Sequence, residues 1–172
     1  ARALAESGLA GRYAFQQWVS HLLGAVCGPR GGDNGIDAVM NIDLFGGAAG
    51  RAIVQVKSGK TVTPGEMRDF LYVIDREKAT VGLLVAFRDA VNDNLRRTAR
   101  DQGTFKSGDP RDNTEYHRIQ VLDVEDFFNS KLTRAGAKLP GFVKADNLRH
   151  RQREERSQRE NFNLVEMLWD ND

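Results

Sequence analysis

The chain has 172 residues, 40% of them apolar, with 25 Lys and Arg against 24 Asp and Glu for a net charge of +1. That length fits one domain with a sizeable core, and the near-balanced charge excludes a polybasic arm that grips nucleic acid by bulk charge, so any such contact must be a local patch. A single cysteine, Cys27, excludes an internal disulfide, the scattered Cys and His lack zinc-finger spacing, and no apolar run approaches the ~20 residues of a membrane helix.

These features, with no signal-peptide pattern at the start, predict a reducing, cytoplasmic compartment and no membrane partner. The sequence opens at Ala1 rather than Met, as a segment of a longer chain would.

Phe15, Trp18, Val19, Leu22, Leu23 and Val26 recur at helical spacing and predict a first helix over about residues 11–25. Ala25 to Cys27 is a candidate edge strand. Ile36 to Phe45 and Arg51 to Ser58 read as a hairpin joined by the glycine-rich residues 46–50. The first strand alternates, with Ala38, Met40, Ile42 and Leu44 on one face. Thr63-Pro64-Gly65-Glu66 carries an N-cap, a Pro at the first helical position and a capping-box Glu, and Met67, Phe70, Leu71 and Ile74 continue a second helix.

Thr80 to Phe87 is a continuous apolar run, suited to a central strand covered on both faces. Val91, Leu95 and Ala99 mark a third helix closed by Gly103. Residues 104–116 are polar and rich in Gly, Pro, Asp and Asn, and read as loop. Arg118 to Leu122 is a short strand and Val124 to Leu132 a short helix. The order is that of an α/β domain with a mixed sheet. Its expected extent is residues 1–143, followed over 144–172 by a charged helical extension of mixed sign that ends in Phe162, Val165 and Trp169.

The informative cluster is Gly32-Asp33-Asn34-Gly35-Ile36-Asp37, followed by Gln55-Val56-Lys57-Ser58-Gly59. Gln55 and Lys57 are i and i+2 on a strand, so both side chains leave one face, and a hairpin brings Asp37 beside them. Phosphodiester hydrolysis needs a hard cation, and Mg²⁺ takes oxygen ligands from one or two carboxylates. Asp37 fits as a ligand, with the Val56 backbone carbonyl as a second, while Gln55 would offer its amide oxygen as a third or orient a metal-bound water. Lys57 would set positive charge where the pentacovalent phosphate gathers negative charge. The plainer reading is equally open: Asp37 caps a turn, and Gln55 and Lys57 are exposed strand residues. A dinucleotide loop at Gly32 and Gly35 is disfavoured, because a strand follows rather than a helix.

GGDNGID, AIVQVKSG and VTPGEMRDF resemble the restriction-endonuclease-like PD-(D/E)xK superfamily in its Mrr-like, QxK form. FQQW (Phe15 to Trp18), REKATVGLL (Arg76 to Leu84) and RIQVLDVEDFF (Arg118 to Phe128) extend the likeness to a domain at the C-terminal end of some bacterial DNA amino-methyltransferases. The resemblance covers about residues 10–140. It implies an αβββαβ core flanked by helices, double-stranded DNA as substrate, Mg²⁺ as cofactor with Mn²⁺ as a substitute, and Asp37, Gln55 and Lys57 at the signature positions. Homodimers and a linked or separate methyltransferase follow as expected partners. Many Mrr-like enzymes carry an acid in the first helix where this chain has Gln16 and Gln17, so Glu6, Asp33 or Glu77 would have to supply it; Gln16, Asp33 and Ser58 are accessory candidates.

Two functions compete: a metal-dependent DNA endonuclease of a restriction or defence system, and a nuclease-fold module that binds DNA beside a methyltransferase. A third is a scaffold that docks a partner through the C-terminal segment. Arg68, Arg76 and Lys78 are candidate DNA contacts on the second helix, although interleaved acids make ion pairs such as Asp75 with Lys78 an equal reading. Phe15 and Trp18 read as core, and the scattered His21, His117 and His150 as surface residues.

Overall fold

The computed structural model describes residues 1–28, 35–45, 48–129 and 131–140. Two helices, α1 (Arg2–Glu6) and α2 (Gly8–Leu23), lead into β1 (Val26–Cys27), β2 (Ala38–Asp43) and β3 (Ala49–Lys57). Next come α3 (Pro64–Arg76), β4 (Val81–Ala86) and α4 (Asp93–Arg100), then β5 (Thr104–Phe105), β6 (Tyr116–His117) and β7 (Ile119–Asp123). The stretch α2-β1-β2-β3-α3-β4 is the expected αβββαβ order. The proposed helix over 144–172 lies outside the described residues.

Five strands form one mixed sheet in the order β1-β2-β3-β4-β7. The β1-β2 and β2-β3 pairs are antiparallel, and β3-β4 and β4-β7 are parallel. Every residue of β4 is buried, which is why its sequence shows no alternation. In β2, by contrast, Ala38, Met40 and Ile42 are buried and their neighbours half-exposed.

Local sequence explains the helix limits. Gly24 ends α2 in the left-handed conformation, its N–H reaching the Ser20 and His21 carbonyls. Thr63 and Glu66 cap α3 reciprocally, and the Asn92 side chain accepts the Leu95 N–H at 3.0 Å to start α4. The α3 residues Met67, Phe70, Val73 and Ile74 are buried. At Gly82 of β4 an added Cβ would sit 2.9 Å from Ile74 and Ile119 atoms, so the bare backbone is what lets α3 close on the sheet. Phe15 of α2 is fully buried and stacks on Phe87 at 5.6 Å, a burial worth roughly 1.5–3 kcal/mol.

Several elements differ from expectation. Residues 104–116 are not all loop: β5 pairs with β6. The Asp112 carboxylate closes the intervening turn by accepting from Ser107 Oγ and Tyr116 OH, both at 2.9 Å. Val124 to Phe128 is a 3₁₀ turn rather than an α-helix, pinned where the Arg88 guanidinium bonds Asp123 and Asp126 at 2.9 and 2.7 Å. Asp75 pairs with Arg118 at 2.6 Å instead of with Lys78. Trp18 is half-buried, stacked at 5.3 Å on an exposed Phe128. No helix among the described residues is long and apolar enough to cross a membrane.

Candidate active site

Around Asp37 the ladder between β2 and β3 gives way to side-chain contacts. The Asp37 N–H donates to the Val54 carbonyl at 3.0 Å, but β3 continues to Lys57. The Asp37 carboxylate substitutes for the missing strand partner, Oδ2 accepting from the Val56 N–H at 2.6 Å. Its Oδ1 accepts from Gln16 Nε2 of α2, also at 2.6 Å. Two donors on two elements therefore fix the carboxylate, and bonds to an ionised acceptor are the stronger kind. The Val56 carbonyl leaves the same edge of β3 as its N–H, toward Asp37.

Gln55 is only 8% exposed. Its Nε2 donates to the Gly35 carbonyl at 3.1 Å, and turning the amide over would set two oxygens against each other, so that carbonyl decides which way the group points. Oε1 is left buried and, among the described residues, is the one buried side-chain polar atom without a hydrogen-bond partner. Such an orphan costs about 1–3 kcal/mol. Gly35 makes the approach feasible: its φ is +86°, and a Cβ there would lie 3.2 Å from Val73 and 3.4 Å from the Gln55 amide.

Lys57 shares the Gln55 face, and its Nζ lies 3.2 Å from Glu66 Oε1 at the start of α3. The second Glu66 oxygen accepts the Thr63 N–H at 2.8 Å. Burial works against ionisation of Glu66, but the Thr63 N–H and the Lys57 ammonium outweigh it and hold the carboxyl below its ordinary value. The parallel crossover from β3 to β4 lays the first turn of α3 over the end of β3. The sequence marks Glu66 as a cap and hides its second partner, although the short span from Lys57 to the capping box is a usable signal.

Other candidates divide by position. Gln16 joins the cluster, and Ser58 follows it, half-buried. Arg68 is exposed on the same end of α3. Arg76 and Lys78 lie at the opposite end, where Arg76 pairs with Glu77 at 3.1 Å. Glu77 also binds Arg51 at 2.9 Å, six residues and ~20 Å of strand from Lys57, so it does not supply an acid to the site. Glu6 is exposed on α1, and Asp33 lies outside the described residues.

The Asp37 carboxylate, the Gln55 Oε1 and the Val56 carbonyl are the hard oxygen donors that Mg²⁺ prefers. No group of three or more His, Cys, Asp or Glu that could hold a metal occurs among the described residues. The donor set thus fits sparse protein ligation of Mg²⁺ rather than an all-protein cage. An unpartnered buried oxygen in that set is the feature a cation would explain.

The family Mrr_cat, described as a restriction endonuclease, matches residues 13–109, more than half of the chain. This chain belongs to the Mrr_cat family. Comparisons with curated proteins and with solved structures found no match. The Mrr_cat match runs from α2 to the loop after β5 and so contains every residue of the cluster, while α1 and β7 fall outside it. Membership makes the chain a nuclease domain of the restriction-endonuclease type, with the mixed sheet and flanking helices of that fold.

Proposed function

We propose that this domain is a Mg²⁺-dependent DNA endonuclease, with Mn²⁺ as a substitute, whose site is Asp37, Gln55, Val56 and Lys57. The observation that carries the reading is the Gln55 oxygen, buried without a partner beside a carboxylate fixed from two sides. Asp37, Gln55 Oε1 and the Val56 carbonyl would hold the cation, which when bound supplies positive charge against the phosphate and makes water more acidic. Gln16 orients Asp37. Lys57 places a second positive charge where the phosphorane gathers its negative charge, and Glu66 holds the ammonium in position until DNA arrives. Arg68, exposed beside this end of the site, would contact backbone phosphate.

One such site cuts one strand, so two copies acting together are the simplest source of a double-strand break. A cytoplasmic restriction or defence system, with a linked or separate methyltransferase, is the setting that fits this chemistry. The test is cleavage of duplex DNA with and without Mg²⁺: nicking or cutting that needs the metal is expected, and binding without cleavage in either condition would refute the enzyme.

A second reading has its own support. Gln16 stands where many Mrr-like enzymes carry an acid, and its amide occupies Asp37 Oδ1. A site short of negative charge holds a divalent cation less tightly, which favours a DNA-binding module that retains the nuclease fold. The same assay decides, since that module would bind duplex and leave it intact.

A further inference from the structure

A cavity of about 220 Å³ opens on the sheet edge at β7, between β7, α4 and the segment 136–138. It is two strands away from β3 in the sheet. Its floor is apolar, from Ala99, Ile119 and Leu122, while Arg96, Arg100, His117 and Lys138 stand around it with no carboxylate in the lining. In a chain of 25 basic and 24 acidic residues that segregation is a departure. Many arginines elsewhere sit against acids, as in Arg51 with Glu77, Arg111 with Asp109 and Arg118 with Asp75, although Arg68 and Arg97 do not among the described residues. Arg100, His117 and Lys138 have no ion pair among the described residues.

The walls are fixed before any ligand arrives. The Gln120 side chain exchanges two hydrogen bonds with the Lys138 backbone, at 2.7 and 2.9 Å, which ties that segment to β7 as an extra strand would. Arg96 lines the cavity with its guanidinium already engaged by Asp123 at 2.6 Å. Arg100 and Lys138 are left as the donors, a planar fork and a mobile point charge, the pair of chemistries that recognises phosphate. The volume is below the ~300 Å³ of a small-ligand pocket, so it suits one phosphate group with the rest of its molecule outside.

We propose that this cavity is a phosphate-binding site separate from the cluster at the end of β3. The phosphate has two sources: a diester of duplex DNA, which rests on the function proposed above, or the terminal phosphate of a free nucleotide, which does not.

Calorimetry with inorganic phosphate on the full chain reads the cavity directly. Arg100→Glu with Lys138→Glu should weaken phosphate binding about a hundredfold, from about a tenfold loss for each of the two charge-assisted contacts. Arg97→Glu, exposed on the same helix but outside the lining, should leave it unchanged, and Arg100→Lys with Lys138→Arg should largely retain it. Binding absent in the parent chain, equal in the double Glu variant, or lost equally in Arg97→Glu would overturn the site. A duplex titration then assigns the source. If the diester is the ligand, the slope of log affinity against log salt falls by about one to two units in the double variant; if the slope is unchanged while phosphate binding is lost, the ligand is a free phosphate compound. A parent chain that binds no duplex refutes the nuclease reading and leaves the phosphate result to judge the cavity alone.

Discussion

The two ends of β3 carry similar residue types and opposite arrangements. At its start, Arg51 meets Glu77, and Glu77 also meets Arg76, so each carboxylate oxygen has a basic partner. At its end, Asp37 is tied to an amide and a backbone N–H, Lys57 is paired with a helix-capping Glu66, and the Gln55 oxygen is buried with nothing to bond. An end that serves stability completes its pairs. An end that leaves a buried acceptor open gives up stability that a bound ligand can restore, and that is where activity is to be sought.

The largest test removes the cation on the incomplete end. Lys57→Ala should lower cleavage by on the order of 10²-fold or more, while duplex binding and the melting temperature stay close to the parent. Arg51→Ala takes a charge from the complete end of the same strand and should leave the cleavage rate alone. Equal losses from the two would erase the distinction between the ends.

Asp37→Ala should abolish Mg²⁺ binding measured by calorimetry, and it should also lower the melting temperature, because Val56 N–H and Gln16 lose their acceptor together. The Gln55 variants separate function from stability more sharply. Gln55→Leu removes the orphaned oxygen and also the Nε2 bond to the Gly35 carbonyl, so the two effects offset and the metal-free protein should stay close to the parent in stability while Mg²⁺ binding and cleavage weaken. Gln55→Glu should tighten Mg²⁺ binding by adding a charged ligand. If Gln55→Leu cuts as fast as the parent at limiting Mg²⁺, the orphan has another explanation.

Much of this contrast is legible in the amino-acid sequence. Periodicity finds α2, the β2-β3 hairpin and the buried β4, and the capping box fixes the start of α3 to the residue. The spacing of Asp37, Gln55 and Lys57 on a hairpin is enough to bring them together. What stays hidden depends on which side chains become partners. A polar stretch gives no sign that Asp112 closes the β5-β6 ribbon, because three hydrogen bonds to one carboxylate leave no periodic trace. Val124 to Phe128 has helical composition, yet Arg88, more than thirty residues earlier, fixes its acids in a tighter turn. The basic trio Arg68, Arg76 and Lys78 reads as one surface on the sequence, but α3 is long enough to carry Arg68 and Arg76 to opposite ends of β3.

The smallest effect compares the two glutamates, one at each end. Burial opposes ionisation of Glu66 and is outweighed by Thr63 and Lys57; Glu77 is lowered chiefly by its hydrogen bond from Arg51, then by that from Arg76. A carboxyl whose folded value is depressed binds fewer protons in the native state than in the unfolded one. Its stabilisation is therefore present above the ordinary value of 4.5 and is lost as pH falls through the lower folded value. Both groups are exposed enough for solvent to screen the gain, so the expected change in melting temperature is small. Glu77→Gln should flatten part of the acid-side decline in melting temperature and leave cleavage at neutral pH untouched. Glu66→Gln should flatten it too, since the amide oxygen can still accept the Thr63 N–H and keep α3 capped. It should also change the cleavage rate, because Lys57 loses its charged partner. Identical cleavage in the Glu66 and Glu77 variants would show that the Lys57 contact is only another surface pair, as Arg51 with Glu77 is.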